Sequence, residues 1–135
     1  MPQGRRLSLI ILDSSAVLAV LRDETGANVV LESLPQGVIC AINLGEVVQV
    51  QIREGKSREQ ARAVINELQI PVIDVDADLA IDAAELRMKV LKNGISQADS
   101  ICLALAKREG AVALTGDRKW LEVAEALGVE ARLIR

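Results

Sequence analysis

Short runs of aliphatic residues alternate along this chain with longer stretches in which apolar positions recur at helical spacing. That alternation predicts βαβ units built around a parallel sheet. The run LSLIIL predicts a first strand over residues 7–12, followed by helices over 15–22 and 26–34, the second stopped by Pro35 and Gly37. A second strand is expected over 38–41. Leu44, Val47, Val48 and Ile52 then mark one face of a helix over 43–54, which Gly55 closes. Ser57 opens a helix reaching about Leu68, and residues 71–75 read as a third strand. A long helix over 77–91 breaks at Asn93-Gly94. The most regular apolar helix covers 97–108, with Ile101, Leu103, Leu105 and Ala106 buried. A strand over 112–114, a helix over 118–127 stopped by Gly128, and a strand over 131–134 complete the pattern. With no linker, repeat or low-complexity segment, one α/β domain over residues 1–135 is expected.

A chain of 135 residues is long enough for a real core, burying roughly two-thirds of its unfolded surface. That core must be aliphatic, because half the residues are hydrophobic yet the chain has one Trp and no Phe or Tyr. Binding of single strands by base stacking is therefore disfavoured. The chain also has no histidine, which excludes His-based zinc sites, Ser-His-Asp triads and imidazole acid–base chemistry. Proton transfer, if it occurs, falls to carboxylates, lysine or metal-bound water. The net charge of −3 argues only weakly against a nucleic-acid partner, since carboxylates that hold a cation count on the cation's side.

Four acids change the picture. Asp13, Glu46, Asp99 and Asp117 each lie at or near the start of a helical pattern, and three of them shortly follow an apolar run. In an open α/β sheet, ligands bind beyond the carboxyl ends of the strands, so these carboxylates would meet in one cleft. Left alone they would repel and one would stay protonated. A hard divalent cation, Mg²⁺ or Mn²⁺, removes the conflict. Each acid also has an ordinary local explanation. Asp13 and Asp117 are placed as N-caps, while Asn43 to Glu46 and Ser96 to Asp99 both fit capping-box spacing. Against four unrelated caps stand the charge that ends an apolar strand at Asp13, and Thr115-Gly116-Asp117 leaving the strand expected beside the first.

Other readings are weaker. Asp74, Asp76, Asp78 and Glu85 sit at Ca²⁺-loop spacing, but Leu79 stands where that loop needs Gly. Asp76 as a cap with Asp78 in the first turn is expected instead. Arg5-Arg6 before LSLIIL resembles an export signal, but its six-residue apolar run is too short. Cys40 and Cys102, both in apolar runs, read as buried free thiols in a reducing cytosol. No stretch is long enough for a membrane span.

The strings LDSSAVLAVLRDE, AINLGEVVQVQIREG and SQADSICLALAKREGAVALTGDRKW, in this order, resemble the PIN-domain ribonucleases, and within them the VapC-type toxins of toxin–antitoxin pairs. The likeness runs from Leu7 to the end of the chain. It implies a three-layer α/β/α sandwich with a mainly parallel sheet, and a cytoplasmic Mg²⁺- or Mn²⁺-dependent endoribonuclease that inhibits translation. It also implies a cognate antitoxin protein that blocks the cleft, and a homodimer. Residue by residue, Asp13, Glu46, Asp99 and Asp117 match the metal-binding acids. Ser15 and Thr115 match hydroxyls that position an acid or water, and Asn43 matches a polar position before the glutamate. Arg118 and Lys119 are candidate phosphate contacts because they adjoin Asp117. Trp120 is expected to pack its helix on the core. The expected reaction is hydrolysis of RNA phosphodiesters to 5′-phosphate products. Two alternatives stay open: a non-catalytic module acting through a protein partner, with the same acids capping helices, and a small-molecule phosphohydrolase.

Overall fold

A strand of three residues suffices at the centre of this molecule because both its faces are covered. Ile11 and Leu12 point to opposite sides, as neighbours on a strand must, and both are fully buried. Ile11 joins a cluster with Val38, Cys40 and Ala113, whereas Leu12 joins another with Ile39 and Leu114.

The structure, a computed structural model, describes residues 8–135. Among these the elements are β1 (Ile10–Leu12), α1 (Ser14–Leu21), α2 (Ala27–Ser33), β2 (Gly37–Cys40), α3 (Ala41–Arg53), α4 (Arg58–Leu68), β3 (Val72–Ile73), α5 (Ala77–Lys89), α6 (Gln97–Glu109), β4 (Val112–Thr115), α7 (Lys119–Leu127) and β5 (Glu130–Leu133). All strand pairs are parallel, in the order β3-β2-β1-β4-β5. One apolar cluster gathers residues of α5, α6 and α7 on one face of the sheet, and the other gathers residues of α1 to α4 on the opposite face. The expected α/β/α layering is present.

Helix α6 is the most deeply set. Every residue from Ser100 to Ala106 is buried, more than the four positions expected from periodicity, so the helix is covered all round. Trp120 is fully buried, packing α7 onto the core as expected. Cys40 and Cys102 are buried and free. Asp76 caps α5 by accepting from the Leu79 amide at 2.8 Å, with Asp78 in the first turn. Among the described residues no helix is long and apolar enough to cross a membrane.

Several boundaries differ from expectation. The first strand starts at Ile10, and Leu7 lies outside the described residues, as does Arg5-Arg6. α2 ends at Ser33, just ahead of Pro35, and the chain continues directly into a 3₁₀ turn, Leu34–Gln36, that holds the proline, where its fixed φ is tolerated. The third strand shrinks to Val72–Ile73, paired only with β2 at the sheet edge. The long helix ends at Lys89, with a separate 3₁₀ turn at Leu91–Asn93. Most consequentially, α3 begins at Ala41, immediately after β2 and two residues earlier than expected.

Candidate active site

The chain winds outward from β1 to β2 and β3, then returns to lay β4 on the other side of β1. The crevice beyond the carboxyl ends of β1 and β4 is therefore a topological switch point, where open α/β sheets bind ligands. Asp13 stands at the end of β1. Its amide continues the ladder by donating to the Leu114 carbonyl at 3.0 Å, so its carboxylate is fixed against β4.

The side chain is 4% exposed. Oδ1 accepts from the Ser14 amide at 2.8 Å, which caps α1. Oδ2 accepts from two hydroxyls, Ser15 at 2.7 Å and Thr115 at 2.8 Å. Each hydroxyl in turn accepts a backbone amide from the β4 turn: Gly116 N–H reaches Ser15 Oγ at 2.9 Å, and Asp117 N–H reaches Thr115 Oγ1 at 3.1 Å. With both hydroxyl protons aimed at one carboxylate oxygen, orientation runs from the backbone through the hydroxyls to Asp13. Ser15 and Thr115 are thus the side-chain donors to Asp13 Oδ2.

Burial pushes the Asp13 carboxyl up to about 6. The Ser15 and Thr115 hydrogen bonds oppose that rise, and the charges of Asp99 and Glu46 add to it. Three acids from β1, α3 and α6 thus share one neighbourhood and repel. Cys102 lies beneath them. Its thiol is pushed well above its ordinary value, first by burial and then by Asp13, Cys40, Asp99 and Glu46, so it stays a neutral thiol.

The capping expectations divide. Ser96 and Asp99 do form a capping box: Ser96 Oγ accepts from the Asp99 amide at 3.0 Å and Asp99 Oδ2 accepts from the Ser96 amide at 3.1 Å. Asn43 and Glu46 do not. Because α3 starts at Ala41 with Cys40 at its cap position, Asn43 lies inside the first turn, fully buried. Its Nδ2 donates to Glu46 Oε1 at 3.1 Å. Its Oδ1 is buried with no hydrogen-bond partner among the described residues. Asp117 holds the start of α7 through Oδ1, which accepts from the Lys119 amide at 3.0 Å, while Lys119 Nζ lies 3.9 Å from Oδ2. Its backbone joins the cluster, but its carboxylate is turned toward Lys119. Arg118 and Lys119 are both exposed.

As placed, no group of three or more His, Cys, Asp or Glu side chains among the described residues is close enough to hold one metal ion. Each acid is instead turned by its own local partner. The donor chemistry still suits a hard cation, since Asp13, Glu46 and Asp99 offer carboxylate oxygens and the nearby thiol is neutral.

Comparison with solved structures finds this fold in toxin–antitoxin proteins. The DNA-bound VapBC complex of Salmonella typhimurium matches with a TM-score of 0.74 at 17% identity, over 96% of this chain and all of that one. VapC20 of Mycobacterium tuberculosis, described as a sarcin–ricin loop cleaving toxin, matches with a TM-score of 0.72 at 22% identity, over 89% of this chain and 95% of that one. VapBC2 of Rickettsia felis, bound to a fragment of promoter DNA, gives 0.72 at 19% identity, over 93% and 98% of the two chains. At these identities the likeness is one of fold. Among curated protein sequences no relative matches. The family model for the PIN domain, however, matches residues 10–126, spanning all four acids and both hydroxyls, and the chain belongs to the PIN domain family.

Proposed function

We propose that this chain is a single-domain, Mg²⁺- or Mn²⁺-dependent endoribonuclease and the toxin of a toxin–antitoxin pair. The observation that carries this reading is the buried Asp13 carboxylate at the switch point, clamped by Ser15 and Thr115 and facing the like charges of Glu46 and Asp99. Such a cluster is costly by itself and is relieved by a cation. Asp13, Glu46 and Asp99 would hold the ion, with Asp117 contributing from the β4 turn. When bound, a divalent cation lowers the pKa of a water and offsets charge on the phosphate.

The chain's own residues do the rest. Ser15 and Thr115 favour the ionised form of Asp13, whose carboxyl at about 6 is mostly deprotonated at neutral pH. Asn43 steadies Glu46 through its amide. The Ser96 box fixes Asp99 on the first turn of α6. Arg118 and Lys119, exposed beside Asp117, meet the phosphate backbone. VapC-like relatives of this fold were solved as complexes with an antitoxin, and a cognate antitoxin covering this edge, a homodimer and a cytoplasmic setting accompany the proposal.

The test is cleavage of single-stranded RNA with Mg²⁺ or Mn²⁺, with excess EDTA, and by the Asp99→Asn chain, alongside single-stranded DNA and a generic phosphomonoester. Metal-dependent RNA cleavage leaving 5′ phosphates, abolished by EDTA and by Asp99→Asn, is expected. Cleavage unaffected by EDTA would refute the proposal. Turnover of the phosphomonoester alone would favour the small-molecule reading, and no metal affinity by calorimetry would favour the binding module.

A further inference from the structure

Two glycines of this fold lie in close approach to the same two residues, Ile134 and Arg135. Gly26, the residue before α2, has φ +98°, and a Cβ there would lie 2.5 Å from the Ile134 carbonyl oxygen. Gly116, in the turn after β4, has an ordinary φ. A Cβ added there would lie 3.2 Å from Arg135 Nη2, 3.4 Å from its Cζ and 3.5 Å from Ser15 Oγ. The Ile134 amide donates to the Thr115 carbonyl at 3.0 Å, extending the β4–β5 pairing past Leu133. The Arg135 guanidinium is thus delivered to the carboxyl edge of the sheet, and it shares one small space above Gly116 with the hydroxyl that holds Asp13.

One side of that guanidinium is anchored. Nη1 donates to the Thr25 carbonyl at 3.0 Å and lies 3.7 Å from Glu24 Oε1. Nε and Nη2 make no hydrogen bond among the described residues, and no carboxylate of the acidic cluster pairs with the group. The side chain is 37% exposed. An arginine presents its donors in a rigid fork matched to two oxygens of a phosphate, and anchoring one nitrogen removes much of the entropy that binding would otherwise cost. A positive fork beside an acidic, cation-suited edge balances the charge that a phosphodiester brings.

We propose that Arg135 binds a phosphate of the substrate strand at the rim of the site, with the Thr25 carbonyl holding it in register. This rests on the reading of the edge as a nuclease site, and it adds a substrate contact that lies outside the motifs carrying that reading. A purely structural alternative is that Arg135 only ties the α1–α2 connection to the end of β5.

The two roles separate in a binding experiment. Affinity for a labelled single-stranded RNA oligonucleotide is measured by anisotropy over a KCl series with Mg²⁺, on the full chain carrying Asp99→Asn so that turnover does not intervene. Arg135→Gln, Arg135→Lys and Glu24→Gln are each added to that background, and cleavage by the parent chain is assayed separately. A phosphate contact requires Arg135→Gln to weaken binding several-fold and to lower the slope of log K against log salt by about 0.7, the value for one phosphate contact on a single strand. Arg135→Lys should keep the slope while recovering only part of the affinity, and Glu24→Gln should bind as tightly as the background or tighter. The proposal is overturned if Arg135→Gln leaves affinity and slope unchanged in a chain that binds RNA. It is equally overturned if Glu24→Gln reproduces the loss, because then the pairing matters and not the fork. A parent chain that neither binds nor cleaves RNA removes the nuclease reading and this proposal together.

Discussion

Replacing Asp13 with Asn should stabilise the metal-free protein at neutral pH while abolishing the proposed RNA cleavage. In the unfolded chain this carboxyl ionises near its ordinary 3.8, but in the fold it is held up at about 6, chiefly by burial. Between those values the folded state keeps a proton that the unfolded state has released. Stability therefore declines as pH rises from about 4 to about 6 and is level above that. A shift of roughly two units corresponds to about 3 kcal/mol. Asparagine escapes this cost but meets three donors with only one oxygen. That oxygen can accept from Ser15 and Thr115, leaving the Ser14 amide without its cap, a loss of about 1 kcal/mol. The net expectation in EDTA at neutral pH is a gain of about 2 kcal/mol, which shrinks on acidification and reverses by about pH 4. Glu54 and Asp76, both held below their ordinary values by hydrogen bonds, contribute stability that is lost as pH falls further. They are common to both chains and cancel in the difference. Urea unfolding from pH 4 to 8 gives the answer, read by fluorescence of Trp120, the sole tryptophan and fully buried. Added Mg²⁺ should then raise the stability of the parent and not of the variant. A variant less stable than the parent at every pH, or a difference that does not change with pH, would refute the account of Asp13.

Three further substitutions probe the surrounding geometry. Thr115→Val removes the hydroxyl that donates to Asp13 and accepts from the Asp117 amide. It should cost about 2 kcal/mol at neutral pH in denaturant unfolding, and it should move the acidic limb of the RNA-cleavage pH profile upward, since that hydrogen bond holds the Asp13 carboxyl down. An unmoved limb would mean that Asp13 does not govern it. Asp99→Asn keeps an oxygen for the Ser96 amide, so thermal stability should change by no more than about 0.5 kcal/mol. RNA cleavage should nevertheless fall by about a hundredfold or more, beyond what an outer-shell change usually costs. Gly26→Ala forces a Cβ against the Ile134 carbonyl at a positive φ. It should destabilise by roughly 3 kcal/mol; a wild-type melting temperature would show that the approach is not tight.

The layering was legible because the strands announce themselves twice, by alternation with helical periods and by neighbouring residues such as Ile11 and Leu12 serving opposite faces. Asp13 was legible for a related reason, since a charge directly ending an apolar strand needs a site to open into. Asn43 was not. Its distance from Glu46 matches a capping box, and spacing alone cannot register that β2 runs into α3 without a loop, which draws Asn43 into the first turn. Arg135 was less visible still. Its place depends on two glycines distant in sequence, and the only available signal was its position just past a strand that ends on the same sheet edge as Asp13 and Thr115.

The sequence also posed a choice between capping and ligation, and the hydrogen bonds of the acids do not by themselves force it. Asp99 spends Oδ2 on the Ser96 amide, while its Oδ1 makes no hydrogen bond among the described residues. Glu46 spends Oε1 on Asn43 and leaves Oε2 in the same condition. A carboxylate has two oxygens and several lone-pair sites, so tying one oxygen to a helix terminus fixes the direction of the other. Asp13 carries this furthest, since its bonds to Ser14, Ser15 and Thr115 leave the group no freedom to turn away from its like-charged neighbours. For Asp13, Glu46 and Asp99 the local hydrogen bonds that would explain each acid as structural are compatible with the proposed ligation, because they use only some of each carboxylate's lone pairs. The repulsion they enforce is what a divalent cation would relieve.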